Sequence, residues 1–93
     1  MFISFDPAKR AETLAKRDLD MQEAGQVFAG PTITTQDTRQ DYGEPRFVTV
    51  GFLRDRMVWV AWTPRDETRR IISMRKANDR EINRYGPAFT LGT

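Results

Sequence analysis

The chain has 93 residues, enough for one hydrophobic core, and is read as a single domain over residues 1–93. Its 39% hydrophobic and 30% charged residues are ordinary for a globular protein, and a net charge of +2 makes the placement of the cations, not their number, the argument for a polyanionic partner. With no cysteine and no histidine, the chain excludes disulfides, thiolate or imidazole metal ligation and an imidazole base, so neither metal nor cofactor is expected.

No apolar run has the length of a membrane-spanning helix, and the opening MFISFDPAK lacks the basic region and long apolar core of a signal peptide. A cytoplasmic location without a membrane partner is the expectation. Phe2 to Phe5 predicts a first strand. Asp6-Pro7 predicts a helix start, with Asp at the N-cap and Pro at the first helical position. Ala8, Ala11, Leu14 and Ala15 recur at helical spacing, and the helix is expected to end near Arg17. Asp20 with Glu23 reads as a capping box that opens a second helix, Met21 to Ala29, burying Ala24, Val27 and Phe28 before Gly30-Pro31.

Thr32 to Thr35 is β-branched and predicts an edge strand, and Gln36 to Pro45 a polar surface loop. Arg46 to Leu53 and Arg56 to Thr63 predict a hairpin around Arg54-Asp55, with Pro64 to Glu67 leading to a further strand, Arg69 to Lys76. Asn78 with Glu81 is another capping box, for a helix from Asp79 to Tyr85 stopped by Gly86-Pro87. Strands joined by short links predict an α+β fold: a small antiparallel sheet packed with two N-terminal helices and a short C-terminal helix. Phe5, Leu14, Val27, Phe28, Val48, Val50, Val58, Val60 and Ile72 are the expected core.

Cations crowd the stretch from Thr68 to Tyr85: Arg69, Arg70, Arg75, Lys76, Arg80 and Arg84. Strict alternation along the strand puts Arg69 and Arg75 on one face, roughly 20 Å apart, and Arg70 and Lys76 on the other. Such a ladder suits a polyanion, although cations at a strand edge also serve only to blunt aggregation. Trp59 and Trp62 fall on opposite faces, so at least one is core, and either has a ring that stacks on a base if left open.

Several segments together resemble the BrnT family of ribonuclease toxins. FDPAK is similar to that family's opening motif, Lys16 precedes Leu19 and the Glu23-Ala24, Val27-Phe28 pattern, and Arg46-Phe47 leads into Val48 to Gly51. Arg70-Ile-Ile-Ser-Met-Arg-Lys-Ala77 resembles the family's arginine-led strand signature, and Glu81 and Tyr85 keep its closing spacing. The resemblance implies a RelE-like fold, a ribonuclease that inhibits translation, and a BrnA-like ribbon-helix-helix antitoxin through which alone DNA is contacted. The chain departs from the pattern at Ser4, Arg17 and Trp62, where the family carries tryptophan and, at the last two, histidine.

Metal-independent RNA cleavage by the 2′-hydroxyl needs a base, an acid and a cation on the phosphorane. Arginine, always charged and fork-shaped, suits the last task. Beside the resemblance, Arg70 and Arg75 are the candidates for it. Glu67 is the preferred base and Lys16 the alternative, with Lys76, Glu81 and Tyr85 the other titratable groups. Arg17, Arg69, Lys76, Arg80, Trp62 and Tyr85 are the candidate RNA contacts. Glu67 also reads as a solvated loop carboxylate, Glu81 as a cap, Tyr85 as a packed ring and Lys16 as a helix-surface lysine.

Overall fold

The computed structural model describes residues 2–91. After β1 (Phe2–Phe5), Asp6 caps α1 (Pro7–Arg17) by accepting the Ala8 N–H at 2.9 Å, and Pro7 fills the first helical position. Asp18, in the left-handed region at φ 55°, closes the helix and donates its N–H to the Leu14 carbonyl. The second helical segment begins as a 3-10 turn, Met21–Glu23, and continues as α2 (Ala24–Ala29). Asp20 accepts the Gln22 N–H as a cap should, but Glu23 pairs with Arg54 rather than completing the box.

The remaining strands are β2 (Ile33–Gln36), β3 (Phe47–Leu53), β4 (Arg56–Arg65) and β5 (Thr68–Lys76), in the sheet order β1-β5-β4-β3-β2. β2 to β5 form the expected antiparallel ladder, with β2 at an edge. The sheet as a whole is mixed, because β1 lies parallel to β5 along Phe2–Phe5. A parallel pair requires a crossover, and α1 and α2 lie in it. Arg54 and Asp55 both have positive φ, 47° and 67°, which matches the two-residue hairpin turn favoured by right-handed strand twist. The β4–β5 turn is also two residues, Asp66-Glu67, shorter than the expected loop. Pro64 stays in the strand, opposite Arg69. It is tolerated there because β3 reaches only as far as Trp62, leaving β4 a single neighbour beyond it.

The pairing of β4 with β5 shifts once, from Ala61↔Ser73 to Trp62↔Ile71, so Ile72 is an extra residue without a partner. A bulge of this kind moves the following side chains to the other face. Strict alternation therefore fails across β5. Ile71 and Met74, three residues apart, are both buried in one core with Val27, Val58, Val60 and Trp62. Arg70 and Arg75, opposite Thr63 and Trp59, share the other face.

The α1–α2 face holds the main core, and the opposite face is partly covered by α3 (Asp79–Leu91). Of the expected core, Val27, Val50, Val58 and Val60 are buried, whereas Phe5, Phe28, Val48 and Ile72 are half-buried. Leu14 is 43% exposed. The side of α1 turned inward carries Thr13, buried, and the flanking Arg10 and Arg17. Arg10 forks onto Asp20 at 2.7 and 2.9 Å, and Arg17 donates to the Met74 carbonyl at 3.0 Å. Polar bonds orient this helix, and its alanine–leucine stripe faces outward. α3 continues through Gly86 and Pro87, where a stop was expected. A proline inside a helix removes one ladder bond, and two anchors offset the loss. They are the Phe89 ring, edge-on to Phe52 at 4.9 Å, and an ion pair between Glu81 and Arg75.

Gly51 is where α2 meets the sheet. A Cβ there would lie 2.8 Å from Val27 Cγ1 and 3.1 Å from Thr32 Cγ2. Gly51→Ala is expected to destabilise by about 1–3 kcal/mol through overpacking, measured by urea unfolding. A second outcome concerns Asp20, whose carboxyl is pulled down to about 2 by the Arg10 hydrogen bonds first and the Gln22 N–H next. A depressed carboxylate stabilises the fold above its unfolded value of about 4, and that contribution is lost as pH falls through its folded value. Between pH 4 and pH 2 the Tm should therefore fall, and Asp20→Asn should remove part of that fall.

Candidate functional site

Three arginines, one just ahead of β3 and one each from β4 and β5, converge on the face opposite α1 and α2. Arg46 precedes Phe47, which pairs with Trp62, so it falls beside Thr63, and the Thr63 hydroxyl fixes that approach by donating to the Pro45 carbonyl at 2.6 Å. Thr63 in turn pairs with Arg70, and Arg65 follows Thr63 on the same face. The N-terminal end of α1 closes the side. Asp6, Lys9, Glu44, Arg46, Arg65 and Arg70 line a cavity of about 230 Å³ together with Ile71 and Ile72.

The cavity is electropositive: four cations face two carboxylates. Asp6 is engaged in capping α1, and Glu44 pairs with Arg65 at 3.5 Å. The Arg46 guanidinium lies 4.1 Å above the Tyr42 ring, and its Nε is buried without a hydrogen-bond partner among the described residues. Half-buried Arg70 makes no ion pair or side-chain hydrogen bond among the described residues. An unpaired guanidinium that shares a cavity with two others is a receptor for a phosphate oxygen. The donor set suits an anion more than a metal ion, and among the described residues no three His, Cys, Asp or Glu side chains cluster to hold a metal. Among the same residues no helix is long and apolar enough to cross a membrane.

The loop beneath the cavity is built rather than loose. Asp37 is its hub: Arg39 forks onto the carboxylate at 2.9 and 2.8 Å, the Tyr42 hydroxyl donates to it at 3.0 Å, and the Asp37 N–H closes the loop on the Arg46 carbonyl at 2.7 Å. These bonds, that of Arg39 first, hold the Asp37 carboxyl far below the usual carboxylate range. The polar composition of residues 36–45 announced a loop. The signal for its order was the spacing of Asp37, Arg39, Tyr42 and Arg46.

The other residues singled out from the sequence are dispersed. Arg75 shares the face of Arg70, but both its terminal nitrogens are held by Glu81 at 2.7 and 2.8 Å, and its guanidinium lies 4.4 Å over Trp59. Glu81 completes the expected capping box, exchanging bonds with Asn78 at 2.9 Å each way. Its carboxyl is depressed chiefly by Arg75. Glu67 is exposed in the β4–β5 turn, without a side-chain partner among the described residues. Lys16 is exposed and bonded to Glu12 at 3.1 Å, one helical turn away. It shares a small cleft of about 40 Å³ with Lys9 and Arg17.

Arg69 faces α2, its guanidinium 4.2 Å above Phe28 and 5.1 Å from Trp62. Trp62 itself is 9% exposed, stacked on Phe47 at 5.0 Å, with its indole N–H donated to Thr49 at 2.8 Å. A ring so enclosed belongs to the core and has no open face for a base. Lys76 lines a separate cleft with Asp18, Arg54 and Arg56 at the other end of the sheet, and Arg80 is exposed on α3. Tyr85 is half-buried and lines a groove with Trp59 and Arg84. Lys9, Arg46 and Glu44 were not among the candidate site residues. Lys9 and Arg46 do lie in the motifs that carried the family resemblance, but only the fold shows that they line one cavity with Arg70.

A family model described as ribonuclease toxin, BrnT, of type II toxin-antitoxin system matches residues 5–81. No curated protein is significantly similar to the chain. The match includes every residue of the cationic cavity and the Arg75–Glu81 pair.

That pair gives a direct test of how α3 is held. Glu81→Gln leaves the half-buried Arg75 charge without its counterion and should cost about 1–3 kcal/mol. Faster amide exchange confined to α3, against an unchanged sheet, is the expected signature.

Proposed function

Because the chain belongs to the BrnT family of ribonuclease toxins of type II toxin–antitoxin systems, we propose that the cavity around Arg70 is where it cleaves RNA, and that cleavage needs no metal. The observation that carries this reading is the unpaired Arg70 guanidinium, which shares its cavity with Arg46 and Arg65, with the carboxylates Asp6 and Glu44 and with the amine of Lys9. In this scheme the 2′-oxygen attacks the adjacent phosphorus as its proton passes to Glu44. The bond from phosphorus to the 5′-oxygen breaks, and Lys9 supplies the proton to that oxygen. The products are a 2′,3′-cyclic phosphate and a 5′-hydroxyl. Arg70 stabilises the charge gathered on the phosphorane, with Arg46 beside it. Glu44 takes the part first considered for Glu67, and Lys9 that considered for Lys16, because the first of each pair lines the cavity and the second does not. Arg75, its fork engaged, acts by positioning α3.

The same reading makes the protein a translation inhibitor acting in the cytoplasm, neutralised by a BrnA-like ribbon-helix-helix antitoxin. Electrostatic complementarity favours an acidic antitoxin segment over the arginine cavity, which would stop cleavage by occlusion alone. DNA is then contacted through the antitoxin. A chain without histidine that kept the fold and only bound RNA or antitoxin is the competing reading, and the same assay separates them.

The assay is digestion of RNA by antitoxin-free protein in excess chelator, with the ends mapped. Cyclic phosphate ends are expected. Arg70→Ala should lower kcat by about 100- to 1,000-fold, as loss of a preorganised donor does. Arg70→Lys should recover only part of this, because the charge returns without the fork. Glu44→Gln should fall with Arg70→Ala, whereas Glu67→Gln should stay near the parent. Cleavage that requires added magnesium would overturn the metal-free scheme, and binding without any cleavage would establish the competing reading.

A further inference from the structure

A second concavity lies on the same sheet face. Trp59 and Tyr85 line it from below and from α3, Arg84 stands at its rim, Val48 forms part of its floor, and residues 35–39 form the far wall. Its volume is about 330 Å³, within the range of pockets that hold small ligands. The strand register connects it to the cationic cavity. Val48, Ala61 and Ser73 form a cross-strand row between Trp59–Arg75 on one side and Thr63–Arg70 on the other. The loop built on Asp37 borders both, giving Glu44 and Arg46 to the cavity and residues 36–39 to the groove.

The chemistry of the groove is specific in kind. Its carboxylate, Asp37, is spent on Arg39 and Tyr42, so the two charges of that pair cancel. Arg84, whose guanidinium lies 5.4 Å from the Tyr85 ring, has no ion pair among the described residues and leaves the groove positive. Arg75 already lies 4.4 Å over one face of Trp59, so the groove offers the Tyr85 ring, with Trp59 beside it, and an arginine without an ion pair among the described residues: a platform for a base with a cation for its phosphate, the combination that single-stranded nucleic acid uses. We propose that this groove is a nucleotide subsite of the toxin: it takes one base of single-stranded RNA, a neighbour of the scissile phosphate, against Tyr85 and Trp59, with the phosphate of that nucleotide at Arg84. The proposal rests on the cleavage reading given above. Tyr85 is a candidate RNA contact from the sequence and stands at the closing spacing of the family resemblance, whereas Arg84 is not among those candidates; both follow Glu81, where the family match ends. The groove thereby sets which base is preferred beside the cut, and the cavity performs the cut.

The test separates binding from cleavage. A short, fully 2′-O-methylated single-stranded RNA lacks the attacking hydroxyl, and its affinity is read by fluorescence anisotropy. Tyr85→Leu, which keeps apolar bulk and removes the π face, should weaken binding about tenfold. Arg84→Ala, at an exposed position, should reduce the slope of log affinity against log salt by about 0.7, the loss of one phosphate contact. On cleavable RNA both variants should raise KM more than they lower kcat, and Tyr85→Leu should flatten the base preference next to the mapped cut. Unchanged affinity and unchanged base preference in both folded variants would overturn the subsite, whatever Arg70→Ala does. If instead Arg70→Ala cleaves normally while the groove variants lose RNA, the subsite stands and the placement of the cleavage site fails.

Discussion

The unpartnered residue at Ile72 is the constraint on which the rest of this fold depends. Without it, β5 would keep its period of two, Ile71 and Met74 would face opposite ways, and one of them would leave the core. With it, the strand puts Arg69 and the two apolar residues towards α1 and α2 and both Arg70 and Arg75 towards the other face. One irregularity thus reconciles two demands on a nine-residue strand: to fill a core along its whole length, and to deliver cations to a single surface. The parallel attachment of β1 supports the same arrangement, because it covers β5 only as far as Ile71. Beyond that point the Arg17 guanidinium takes over, bonding the Met74 carbonyl in place of a neighbouring strand.

Much of the architecture was legible. Asp6-Pro7 and the Asn78–Glu81 box each carry a local mechanism, and the starts of α1 and α3 lie where those mechanisms put them. What failed did so where a tertiary contact outweighed a local one. Gly86-Pro87 is a sound stop signal, but Phe89 gains an aromatic partner if the helix goes on. The Ala8–Leu14 stripe reads as a buried face, but α1 is fixed by Arg10 and Arg17, which lie a third of a turn away. The bulge was invisible because nothing in Arg-Arg-Ile-Ile-Ser-Met-Arg distinguishes a strand that keeps its phase from one that shifts it.

The site was legible in part for the same reason. Arg70 emerged from its motif, but its companions come from distant segments whose meeting depends on register: Arg46 ahead of β3, Arg65 at the end of β4, Lys9 on α1. Arg75 shows the reverse case. By residue type it is as good a phosphate ligand as Arg70, yet Glu81 and Trp59 occupy it from two sides. The number of arginines in a stretch says little about which is available. Availability follows from the carboxylates and rings that the fold brings to each.

The parallel pairing of β1 with β5 also governs when the molecule comes into being. The first strand has nothing to pair with until Thr68 to Ile71 have been synthesised, and Lys9 cannot face Arg70 before then. Contacts so distant in sequence form late in folding. On a growing polypeptide, the cationic cavity therefore has no existence until Thr68 to Ile71 have cleared the ribosome, a consequence of loop closure and strand order. A surface that joins Lys9 to Arg70 is absent from every shorter nascent chain, through topology alone.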